Sequence, residues 1–147
     1  AHYWKPRSLI CISSECTENT KEDQYYEVLK VQLNKIAIRN PKREIYIIGQ
    51  VPAPRESMVQ CMKKFNKHSC QRTTNEFRGD RLKTNAVLAS ISEDYDYVNF
   101  IDPFKALCDQ DMLCQTIIDN KNIYYDNVHL SQFGAAVVWP YIESQLK

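Results

Sequence analysis

The sequence predicts an α/β fold with a parallel sheet. Glu44 to Val51 is a short, continuous apolar run, the pattern of a strand buried on both faces. Around it, segments of helical period alternate with strand-like runs, in the order strand, helix, strand, helix, strand, hairpin, helix. Such alternation implies parallel strands joined by right-handed crossovers. In sheets of this kind, ligands bind beyond the carboxyl ends of the strands.

Taken in order, Ala1-His2-Tyr3-Trp4 reads as the end of a strand, broken by Lys5-Pro6. His2, among aromatics, reads as structural or as a pocket wall. Arg7 to Thr20 is a loop with Cys11 and Cys16, in which Ser8 to Ile12 suits a short extra strand. Lys21 to Arg39 places Tyr25, Tyr26, Leu29, Leu33 and Ile36 at helical spacing, which predicts one buried face. Glu22 and Asp23 near its start and Lys35 and Arg39 near its end complement the dipole. Asn40-Pro41 stops the helix. The strand at 44–51 follows, ended by Pro52-Ala53-Pro54-Arg55.

Arg55 to Thr73 is the least regular stretch. It holds Cys61 and Cys70, with Lys63, Lys64, Lys67 and His68 between them. That basic run is a solvated face or a surface for an anionic glycan. Gly79 lies in no glycine-rich phosphate loop. Asn75 to Ser92 predicts a second helix with Phe77, Leu82, Ala86, Leu88, Ala89 and Ile91 toward the core. Tyr97 to Asp102 is a strand, and Pro103 opens a short helix to Leu107. Cys108 to Cys114 is a small loop. Ile117-Ile118 and Ile123-Tyr124-Tyr125, around Asp119 to Asn122, form a hairpin that delivers Asp126. The last helix starts at Ser131, with Pro140 a kink or early stop.

The bounds on function are simple. A chain of 147 residues suits one domain, 1–147, with a real core. A net charge of +1 points to neither nucleic acid nor an anionic membrane surface. No apolar run approaches a membrane span, and no signal peptide is visible. The chain opens at Ala1, not Met, as expected of a processed or excised segment. Six cysteines favour an oxidising compartment, although some can be ordinary buried thiols. They fall as three close pairs, Cys11 with Cys16, Cys61 with Cys70 and Cys108 with Cys114, and spacing alone does not fix the connectivity.

Chemistry concentrates in Tyr124-Tyr125-Asp126-Asn127-Val128-His129-Leu130-Ser131. Ser131 suits an N-cap, so His129 sits just before a helix start. The positive end of the dipole favours a neutral ring that can accept a proton. Asp126, one tight turn back, is placed to hold the ring in one tautomer. The pair reads as a general base and its orienter, lacking a nucleophile. The alternative is that both residues only satisfy the free N–H groups of the helix. A metal site from Asp126, His129 and a cysteine matches no ligand spacing.

Leu107-Cys108, Cys114, Ile123-Tyr124-Tyr125-Asp126, His129-Leu130-Ser131 and Gly134-Ala135 together resemble the C-terminal end of the SGNH hydrolase-like domain. The likeness is to the form fused to acyltransferase-3 membrane proteins, which O-acetylate cell-envelope polysaccharides. It is strongest from Val98 to Ala136. The resemblance implies a three-layer, flavodoxin-like parallel sheet and a Ser-His-Asp triad whose His and Asp are His129 and Asp126. It supports disulfides within the second and third cysteine pairs, Cys61 with Cys70 and Cys108 with Cys114. It implies no metal or nucleotide cofactor, an acetyl donor and a saccharide acceptor as partners, a fused membrane acyltransferase domain, and an extracytoplasmic location.

The chain departs from that pattern at one point. The family carries its nucleophile in a Gly-Asp-Ser block near the domain's N-terminus, and its oxyanion-hole glycine in a second block. Here Gly49, Gly79 and Gly134 are the only glycines, and none precedes Asp-Ser. None of the serines before Asp126 (Ser8, Ser13, Ser14, Ser57, Ser69, Ser90 and Ser92) has the small-residue setting of a nucleophile turn. The expectation is therefore an SGNH domain incomplete at its N-terminus. The serine and the first strands would come from an upstream segment or a second chain, and this chain alone would be inactive. The competing expectation is a non-catalytic extracytoplasmic module that binds glycan or protein.

Overall fold

In the computed structural model, which describes residues 21–54, 63, 72–73, 79–111 and 113–146, helix α1 spans Lys21–Arg39. Its ends are those the spacing predicts, but its buried face is narrower. Leu33 is buried, and Tyr26 and Leu29 are half-buried. Tyr25 and Ile36, expected on the same face, are exposed. At 3.6 residues per turn both lie roughly 60–80° round the helix from Leu33, at the edge of the stripe. Tyr25 instead meets the Tyr26 ring edge-on, at 5.6 Å between centroids. Past α1, the Asn40 N–H donates to Ile36 O (2.9 Å) and the Arg43 N–H to Asn40 O (3.1 Å), closing the turn ahead of the next strand.

The chain divides into two compact units, Ala1–Arg43 and Glu44–Lys147. The second holds strand β1 (Ile45–Ile48), β2 (Arg72–Thr73), α2 (Gly79–Glu93), β3 (Val98–Ile101), α3 (Phe104–Leu107), β4 (Leu113–Cys114), β5 (Ile117–Ile118), β6 (Lys121–Asn122) and α4 (Gln132–Gln145). β1 and β3 pair in parallel, in register from Ile45 opposite Val98 to Ile48 opposite Ile101. α2 lies between them in sequence and packs on β3, so β1-α2-β3 is the strand–helix–strand unit the alternation predicts. Burial of β1 on both faces is not what forms: Tyr46 and Ile47 are half-buried and Ile48 is exposed. Among the described residues β1 bonds to β3 alone.

α2 buries Leu88 and Ile91 as expected, but Ala86 is exposed, and the polar Asn85 and Ser92 are buried in its place. Asn85 fastens the carboxyl ends of the strands. Its Oδ1 accepts from the Gln50 N–H (2.8 Å), and its Nδ2 donates to Gln50 O (2.9 Å) and Asp102 Oδ1 (3.3 Å). Gly49 leaves room for this, since a Cβ there would sit 2.8 Å from the Phe100 ring and 2.9 Å from Asn85 Oδ1. Asp102 Oδ1 also accepts from the Phe104 N–H (3.1 Å), starting α3.

Beyond α3, Cys108 and Cys114 form a disulfide. β4 also pairs antiparallel with β2, a strand the sequence reading missed in its least regular stretch. β5 and β6 form a hairpin with the expected first arm, but its second arm is Lys121–Asn122 rather than Ile123 to Tyr125, because the turn takes only Asp119 and Asn120, both at positive φ (50° and 60°), which Asp and Asn tolerate in a two-residue turn. Ile101, Leu107, Ile123, Tyr124, Val138 and Ile142 make the core, with Leu130 and Phe133 against it. α4 runs through Pro140 to Gln145, so Pro140 is not the early stop the sequence suggested. Ala136 and Pro140 are both exposed.

The expected strands at 1–4 and 8–12, together with His2, Cys11, Cys16, Cys61, Cys70, Lys64, Lys67 and His68, lie outside the described residues. Lys63 is described and exposed. No helix among the described residues is long and apolar enough to cross a membrane.

Candidate active site

The segment from Ile123 to Ser131 is a narrow loop pinned at both ends. Ile123 and Tyr124 are fully buried at one end, and Leu130 packs on the same core at the other. Burial pushes the Tyr124 hydroxyl well up from its ordinary value, against a smaller downward pull from Arg81, so it stays a neutral phenol. Two backbone bonds close the loop, from the Tyr125 N–H to His129 O (2.9 Å) and from the Ser131 N–H to Ile123 O (2.8 Å).

Ser131 then starts α4. Its Oγ accepts from the Gly134 N–H (2.9 Å) and donates to Asn122 O (2.6 Å), tying the helix start to the hairpin. Gly134 is forced by the same closeness: a Cβ there would fall inside the Ile123 carbonyl. Lys121 Nζ lies 5.0 Å from the centre of the Phe133 ring and ties the same two elements.

Inside the loop, Asp126 directs both carboxylate oxygens at its own turn. Oδ1 accepts from the N–H groups of Val128 and His129, each at 2.7 Å. Oδ2 meets His129 Nδ1 at 2.7 Å. The His129 ring bond, then the His129 and Val128 N–H groups, hold this carboxyl at about 2, below its ordinary 3.8. An ionised carboxylate only accepts, so Nδ1 carries the hydrogen and Nε2 of the neutral ring is left with its lone pair. The His129 side chain is 74% exposed and that of Asp126 39%, so Nε2 is open to an incoming group.

Asp126 and His129 are thus brought together, and Cys108 is joined to Cys114. Ser92, one of the serines weighed above, is buried and donates to Ala89 O (2.7 Å). The sequence reading missed Asn85 and Gly49, which shape the carboxyl ends of the strands. The Gly49-Gln50 step after an apolar run, with Asp102-Pro103 after the next, was the available signal.

A parallel strand–helix–strand unit followed by an Asp-His loop at a helix start makes this an α/β domain with its polar pair after the last strand. The chain belongs to the SGNH domain family, the domain fused to AT3 domains, whose model matches residues 3–144. Two solved structures share the fold. One is a Streptococcus pneumonia protein described as a platelet activating factor, with TM-score 0.61 and 19% identity, covering 87% of this chain and 53% of that one. Another is the lipopolysaccharide acetyltransferase periplasmic domain of Salmonella ser. Paratyphi A, with TM-score 0.66 and 17% identity, covering 86% and 50%. The chain therefore spans about half the length of each of these structures. Among curated proteins it has no match.

Proposed function

We propose that the whole protein is a serine O-acetyltransferase or acetyl esterase acting on cell-envelope polysaccharide, and that this chain carries the acid–base half of its triad. The observation that carries the reading is the 2.7 Å contact between Asp126 Oδ2 and His129 Nδ1, on a His129 side chain that is 74% exposed. The nucleophile is a serine contributed by an upstream segment or a second chain. His129 Nε2 takes the proton from that serine as its Oγ attacks an acetyl carbonyl, then returns it to the departing donor group. A sugar hydroxyl next gives its proton to Nε2 and attacks the acetyl-serine, and the serine leaves with the proton. Water in place of the sugar makes the reaction an ester hydrolysis. Family membership and the fold shared with a lipopolysaccharide acetyltransferase domain support acetyl as the group and a saccharide as the acceptor. A fused AT3 domain would supply the donor from the membrane, with the site on the extracytoplasmic side.

The test is acetyl-ester turnover by the full-length natural protein. Asp126→Asn is expected to lower kcat by about 10³–10⁴-fold with little change in KM, because the amide oxygen would take the Val128 and His129 N–H groups and turn its NH2 toward Nδ1, which favours the wrong tautomer. His129→Ala should lose at least as much. Unchanged kcat in either variant would remove the pair from the chemistry, and no turnover by the wild type would leave a glycan- or protein-binding module.

A further inference from the structure

We propose that Tyr125 is the platform on which the acceptor's sugar ring rests while one of its hydroxyls reaches His129. This inference rests on the acyl-transfer reading above. It starts from the backbone. Tyr124 and Leu130 oppose each other as an antiparallel bridge. The bonds flanking them run from Tyr125 to His129 and from Ser131 to Ile123, the pattern around a non-hydrogen-bonded pair. The next opposed pair is therefore Tyr125 and His129. Carried one step outward from this bridge, strand alternation turns both to the face opposite Tyr124 and Leu130. Cβ atoms so opposed are about 5 Å apart.

Burial agrees with that geometry. Tyr124 is 1% exposed, whereas Tyr125 is 81% exposed and the His129 side chain 74% exposed. A phenol left in water to that extent does nothing for the core. Its rigid apolar face gains only when something flat covers it. A pyranose ring has such a face, made of axial C–H groups, and carries its hydroxyls around the rim. Laid on Tyr125, it would set a rim hydroxyl toward the neighbouring imidazole. A linear alcohol or water gains nothing from the ring, so Tyr125 favours a cyclic sugar as acceptor.

The test uses the full-length natural protein and a panel of methyl hexopyranosides, with binding followed by saturation-transfer NMR and titration. Wild type and Tyr125→Phe should bind at least one glycoside with similar affinity. Tyr125→Ala should bind it about tenfold more weakly, the size of one lost stacking contact. In acetyl transfer to that glycoside, its KM should rise in the same proportion. Equal affinity in Tyr125→Ala, or no glycoside bound by the wild type, overturns the proposal. The underlying reading fails separately, through acetyl-ester cleavage that survives His129→Ala.

Discussion

Asp126 accepts from three N–H groups, all within three residues of it. These bonds exist only in the folded loop, so its depressed value of about 2 belongs to the folded state. The sign follows from linkage: their contribution is complete above the ordinary 3.8 and is lost as pH falls through about 2. Urea midpoints measured across that window should therefore drop more steeply for the wild type than for Asp126→Asn. Parallel curves would mean that the three bonds do not hold in solution. Gly134 gives a second prediction at this scale. Gly134→Ala pushes a methyl into the Ile123 carbonyl and should cost about 2 kcal/mol or more in chemical denaturation. These local features were legible in the sequence, because the Asp-x-x-His turn and the Ser131 cap are made by residues within three positions of each other. Asn85 was not, since its partner Gln50 lies 35 positions away and only the folded sheet end brings them together.

Among the elements, the disulfide loop and the hairpin carry the most information. Cys108–Cys114 closes a loop with a sequence separation of 6, where Leu113 N–H also donates to Asp109 Oδ1 (2.9 Å). Replacing both cysteines by serine should cost about 2 kcal/mol, the loop-closure value for so short a ring. Urea denaturation of the oxidised protein and the double variant would measure it, and equal midpoints would contradict it. The extents of α1 and α3 and the start of α4 were readable from apolar spacing and from Asn40-Pro41, Pro103 and Ser131. What each helix buries was less readable. Periodicity fixes a stripe but not its width, so Tyr25 and Ile36 fell off the edge of the α1 face and Ala86 off that of α2. Pro140 shows another limit: the helix runs through it to Gln145, so a proline in a helical run does not by itself mark the end.

For the molecule as a whole, the order of strands and helices was enough to give the parallel α/β class, because a β1-α2-β3 crossover leaves few other arrangements. The pairing of β2 with β4 was not legible, since two-residue strands carry no period. The proposed chemistry turns on His129 and Asp126 activating a serine contributed from elsewhere. A fluorophosphonate serine probe tests this most directly, applied in parallel to the full-length natural protein and to the 147-residue chain alone. Labelling is expected in the full-length protein only and is lost on His129→Ala. Labelling of the short chain itself, or labelling that persists without His129, would contradict it.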